Sequence, residues 1–139
     1  MQNWGFKMGY VAKSISSAGV TKALSDNLPI IQINDTNQIK ETTEMDIIQK
    51  TIDVTDIDYL YVGFTSTSDA GGTDHIKLYL DAVELKHWEN AGTTVSETFD
   101  LTAYTGDMTL KFSAWNTTSG KYMRLVDLIV INCNTAFHT

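Results

Sequence analysis

The residues of this chain whose types suit cation binding or proton transfer are three histidines, His75, His87 and His138, and the carboxylates Asp53, Asp56, Asp58, Asp69 and Asp74. The histidines show no metal-ligand spacing. Pairing two strands about Asp81-Ala82 sets His75 opposite Trp88 and Ile76 opposite His87, which makes both ordinary sheet residues. The aspartates fall on strand ends and turns, where carboxylates decorate a solvated edge and discourage edge pairing. Asp35-Thr36-Asn37 opens like a calcium loop, but position six is Lys40 rather than Gly and the last ligand is Asp46 rather than Glu. No Gly-x-Ser-x-Gly, phosphate-binding loop or Gly-x-Gly-x-x-Gly occurs, and no Ser or Thr has a recognisable base partner. Cys133 is the single cysteine, so no intrachain disulfide forms; in the run from Ile129 it reads as a small buried hydrophobe. The expectation is a protein with no catalytic residues.

Aromatic residues carry more information. Met108, Leu110, Phe112 and Ala114 alternate, which puts Trp115 on the opposite face with Thr109, Lys111 and Ser113. The same argument puts Trp88 with Glu84 and Lys86, pointing away from the core. A flat ring at a polar surface suits stacking on a sugar or anchoring an interface. Trp88 and Trp115, joined by Tyr79, are the candidate ligand contacts.

These residues sit in a chain that reads as strands almost throughout. Period-2 alternation runs through Leu60, Val62 and Phe64, through Ile76, Leu78 and Leu80, and through Met108 to Ala114. Polar, Gly-containing stretches at 66–73, 90–94 and 116–120 separate the runs, and Asp81-Ala82 reads as a two-residue hairpin turn. Short strands with turns every 8–12 residues argue for an all-β fold, an antiparallel two-sheet β-sandwich or jelly roll. An echo at an offset of 47 residues supports two interlocked halves: Thr51 to Thr55 with its following strands resembles Thr98 to Thr102 with its own. Residues 28–139 form the sandwich. Residues 1–27 differ: Trp4, Phe6, Met8 and Tyr10 alternate with Gly5, Lys7 and Gly9, giving one bulky face and one nearly bare one. This segment reads either as an extended arm that docks on a partner or another copy, or as the first strand of the chain's own sheet.

Phe99-Asp-Leu-Thr-Ala-Tyr-Thr-Gly-Asp-Met-Thr-Leu-Lys-Phe112, followed by Tyr122 to Ile131, resembles the closing strands of carbohydrate-binding-module-like (galactose-binding-like) jelly rolls. Sandwiches of this kind occur in glycan-binding modules, adhesins and phage tail or capsid accessory proteins. The resemblance implies a fold and a non-catalytic binding or structural role. It also implies calcium as the one candidate cofactor, with Asp127 on the last strand as the acidic ligand.

Length and charge bound the function. At 139 residues and 15.5 kDa the chain fits one domain. Ten Lys and Arg against 17 Asp and Glu give −7, which disfavours nucleic acid as a partner. Residues 1–40 hold four lysines against two aspartates, net +2; the remainder holds six basic and fifteen acidic residues, net −9. Met1 to Tyr10 lacks the pattern of a secretory signal, and no apolar run is long enough to span a bilayer as a helix. The expectation is a virion structural or adhesion protein, such as a phage capsid-decoration, fibre or tail accessory subunit. It would assemble in the host cytoplasm with other virion proteins and copies of itself as a homo-oligomer, with a cell-surface glycan as candidate ligand. The alternative is an extracellular glycan-binding module of a larger secreted enzyme or adhesin.

Overall fold

The computed structural model describes residues 29–69, 71–89 and 94–133. They form eight strands: β1 Pro29–Asp35, β2 Met45–Asp53, β3 Tyr59–Ser68, β4 Asp74–Leu80, β5 Val83–Glu89, β6 Thr94–Asp100, β7 Asp107–Asn116 and β8 Met123–Cys133. Two four-stranded antiparallel sheets pack face to face, one in the order β1-β8-β3-β6, the other β2-β7-β4-β5. The ladders β1·β8, β2·β7, β3·β6 and β4·β5 are those of one long hairpin, and β3·β8 and β4·β7 roll it into a jelly roll. The all-β sandwich read from alternation is therefore the fold. The arm with Trp4, Phe6, Met8 and Tyr10 lies outside the described residues. No helix among the described residues is long and apolar enough to cross a membrane.

The alternating runs become the inner faces. Leu60, Val62, Ile76, Leu78, Leu80, Leu110, Phe112 and Ala114 are all within 1% of complete burial, and Phe64 nearly so. They fill the space between the sheets with Leu125, Leu128 and Val130 of β8. The single proline, Pro29, opens an edge strand, where its missing N–H removes no interior ladder bond.

The 47-residue echo has a structural meaning. Advancing each strand by four turns the order β1-β8-β3-β6 into β5-β4-β7-β2, the second sheet read backwards. The two halves are thus related by a pseudo-two-fold that exchanges the sheets. Asp53-Val54-Thr55 leaves β2 and Asp100-Leu101-Thr102 leaves β6 in the same way. Asp53 Oδ1 accepts the Thr55 amide at 3.0 Å and Asp100 Oδ1 the Thr102 amide at 2.8 Å. Val54 and Leu101 are fully buried beneath these turns. Bonds from the threonine hydroxyls and amides hold both carboxyls below the ordinary aspartate value.

The same symmetry relates the two open sides of the sandwich. At the β1/β2 side Lys50, paired with buried Leu110, donates to the Ile30 carbonyl at 3.1 Å. At the β5/β6 side Lys86, paired with buried Leu78, lies 3.7 Å from Glu97. Each lysine projects from an inward-facing position of an edge strand and reaches the neighbouring sheet.

The β4–β5 hairpin does turn at Asp81-Ala82. Asp81 takes a left-handed φ of 51° and is pinned to β7, its carboxylate accepting the Thr109 amide at 2.7 Å. Its register corrects the expectation. Leu80 pairs with Val83 and Tyr79 with Glu84, but Leu78 pairs with Lys86, so Leu85 is a bulge residue. Beyond it Ile76, not His75, faces Trp88, while His75 faces Glu89 and Lys77 faces His87. One inserted residue has moved every later side chain of β5 to the opposite side of the sheet.

Candidate functional site

Alternation on β4 buries Asp74, Ile76, Leu78 and Leu80 and turns His75, Lys77 and Tyr79 outward. On β7 the outward set is Lys111, Ser113 and Trp115, and on β5 past the bulge it includes His87 and Glu89. These side chains, with Glu44 before β2 and Asp46 on it, cover the outer face of the second sheet as two adjoining networks.

The first network is aromatic and imidazole. Trp115 faces outward and is half-buried, as alternation along β7 requires. Its ring stacks on His75 at 4.5 Å between centroids and 7° between planes, and on His87 at 5.8 Å and 28°. His75 Nδ1 and His87 Nε2 are 2.8 Å apart, a hydrogen bond in which only one atom carries a proton. Glu89 Oε1 lies 3.5 Å from His75 Nδ1. Burial lowers the His75 pKa below its ordinary 6.5, with His87 and Lys77 acting in the same direction against Glu89 and Asp74. His75 is therefore held in its neutral form near pH 7.

The second network centres on Glu44. Its Oε2 accepts from Ser113 Oγ at 2.5 Å and from Tyr79 Oη at 2.6 Å. Burial raises the Glu44 pKa, but these two bonds and the charges of Lys77 and Lys111 outweigh it and bring the value below 4.5. Lys77 bridges to Glu84 at 2.9 Å and Lys111 to Asp46 at 3.2 Å. Their ammonium groups flank the Tyr79 ring at 5.9 and 4.8 Å. Tyr79 is thus on the outward face, but its hydroxyl is committed to Glu44.

Trp88 is a correction. It does not face out: the bulge turns it into the core, where it is 7% exposed. It meets Phe64 edge-on at 5.1 Å and Phe99 at 6.2 Å, and its Nε1 donates to Glu97 across the sandwich opening at 2.8 Å. Only Trp115 and Tyr79 of the three expected ligand contacts share the outer face.

Asp127 stands exposed on β8 with a φ of 54°, at a bulge opposite β3. It lines two clefts, one with Gln32, Ile33 and Asn34 and one with Tyr61 and Thr94. Of the aspartates, Asp53, Asp56 and Asp58 are exposed, whereas Asp74 is buried and accepts from Asn116 Nδ2 at 2.5 Å. The Cys133 thiol is buried and donates to the Tyr59 carbonyl at 3.6 Å. Among the described residues, the one convergence of three or more His, Cys, Asp or Glu donor atoms is His75, His87 and Glu89, all within 4.8 Å of one another. Sequence spacing did not group them. The signal present was a phase break in β5: Val83 and Leu85 share one alternation phase and Trp88 the other, which an uninterrupted strand would not show.

Compared with known proteins, the chain matches no family model and no curated protein.

Proposed function

We propose that the chain is a non-catalytic structural and adhesion subunit of a virion. The jelly roll is its rigid block, residues 1–27 its docking arm, and the outer face of the second sheet its contact surface. The observation that carries this reading is the strand order, β1-β8-β3-β6 against β2-β7-β4-β5, in an architecture that serves as a building unit in capsids and a recognition unit in lectins. Charge adds direction: a segment of net +2 suits docking on the body of another copy, which carries −9.

Light scattering on the full chain tests it. The wild type is expected to run as a defined homo-oligomer, and the variant Trp4→Ser, Phe6→Ser, Met8→Ser, Tyr10→Ser as a folded monomer. A wild type that stays monomeric at every concentration sinks the structural reading.

A second reading, a glycan-binding module, is favoured by one feature: Trp115 lies on an outward face beside hydrogen-bonding and charged groups rather than inside the sandwich. A glycan array on the wild type and on Trp115→Ala decides it. Binding that falls roughly tenfold or more in the variant supports recognition at this face; binding unchanged by the substitution removes it.

A further inference from the structure

We propose that His75, His87 and Glu89 form a binding site for a borderline first-row divalent metal ion, of which Zn²⁺ is the natural probe, with a position left open to water. The inference is independent of the virion reading.

Geometry supplies the first argument. His75 Nδ1, His87 Nε2 and a Glu89 carboxylate oxygen converge within 4.8 Å, and three N/O donors are the usual protein share of an open zinc site. Tetrahedral Zn²⁺ with bonds of about 2.0–2.1 Å sets two imidazole nitrogens roughly 3.3 Å apart. The observed 2.8 Å is therefore short by about half an ångström, a separation reached by small ring rotations. The required freedom is available where it is needed: His87 and Glu89 lie on β5, the last strand of its sheet, and the Glu89 side chain is 58% exposed. Among the described residues no strand follows β5 in that sheet, which leaves the fourth position to solvent.

Orientation supplies the second. Both imidazoles lie against the Trp115 ring, one nearly parallel to it, so the ligands are held side by side before any ion arrives. The two nitrogens already meet in a hydrogen bond. Freeing both lone pairs requires only that the ring donating in this bond carry its proton on its other nitrogen, a change of tautomer.

Charge supplies the third. Besides the ligands, the ionisable groups acting on His75 are Asp74, which is bonded to Asn116, and Lys77. The Lys77 ammonium is neutralised by Glu84 at 2.9 Å, so it does not repel a cation at full strength. Two imidazoles among three donors argue against Ca²⁺ and Mg²⁺, which take oxygen ligands, and for the zinc class.

Calorimetric titration of chelator-treated full chain with Zn²⁺, in a non-coordinating buffer at pH 7.5, tests the site. One ion per chain is expected to bind, with affinity weakened roughly tenfold or more in His87→Gln and in Glu89→Gln. Circular dichroism checks that these two exposed-side variants stay folded. His138→Gln should titrate like the wild type. Imidazole ¹⁵N spectra should show His75 and His87 shifting together on Zn²⁺ addition. The proposal is overturned if the wild type takes up no Zn²⁺, if His87→Gln binds as the wild type does, or if Ca²⁺ binds with the same affinity and stoichiometry.

Discussion

Trp88 and Trp115 differ in which side of one sheet they occupy, and that difference predicts unequal results from the same substitution. Trp88→Ala empties a space bounded by Phe64 and Phe99 and strips Glu97 of its indole partner, so it should cost about 3–5 kcal/mol. Trp115→Ala removes a half-buried ring stacked on two imidazoles and should cost about 1–2 kcal/mol. Urea midpoints of the two variants measure the gap directly; equal losses would contradict the placement of the two rings. Trp115 was legible in the sequence because β7 pairs with β4 in unbroken register from Asn116 to Leu110. The facing of Trp88 depends on Leu85, and its one trace in the sequence is the break in alternation between Leu85 and Trp88, since no Gly or Pro in Val83–Glu89 marks the extra residue. The histidine pair was hidden for the same reason. Its members become same-face neighbours only once the register beyond Leu85 is known.

At the scale of elements, that bulge is the decisive irregularity. Deleting Leu85 should restore the unbulged pairing, bring Trp88 outward and carry His87 to the inner face. The deletion is expected to destabilise the domain at least as much as Trp88→Ala, in a urea titration, and to abolish any Zn²⁺ response that depends on His87. A deletion variant as stable as the wild type would show that the bulge does not set the facing of β5. Strands β3, β4 and β7 were legible because their alternation is backed by burial on one face, as in Ile76, Leu78 and Leu80 of β4. The Asp-[Val/Leu]-Thr echo was legible as a repeat, but its meaning was not. That two strand exits are equivalent under an exchange of sheets depends on long-range pairing, which local sequence does not encode.

For the whole molecule, the titrating groups combine into a predicted stability profile. Glu44, Asp53 and Asp100 have folded pKa values below 4.5, 3.8 and 3.8, and His75 below 6.5. For each, the unfolded chain binds protons more readily, so its contribution is present above the unfolded value and is lost as pH falls. Burial and the Glu44 bond raise Tyr79 above 10.0, and the Glu84 bond raises Lys77 above 10.5. Their contributions are present below those values and are lost as pH rises. The thermal midpoint should hold a plateau from roughly pH 7 to roughly pH 9 and decline on both sides. In His75→Gln the acid decline should begin only in the carboxylate range. A wild-type midpoint that rises on acidification from pH 7 to pH 5 would contradict these shifts.

Lys50 and Lys86 have a meaning beyond closing the sandwich. Among the described residues the rolled hairpin ends in four strand margins, β1, β6, β2 and β5, and a strand margin offers backbone groups to a foreign strand. A charge placed on the inward side of such a margin penalises a visiting chain, which would have to bury it. With both lysines changed to valine, the domain should acquire concentration-dependent self-association and thioflavin-positive fibres, while dilute samples keep a native circular dichroism spectrum. On this view, the two symmetric lysines make the difference between a domain whose strand margins turn other chains away and one that polymerises strand upon strand.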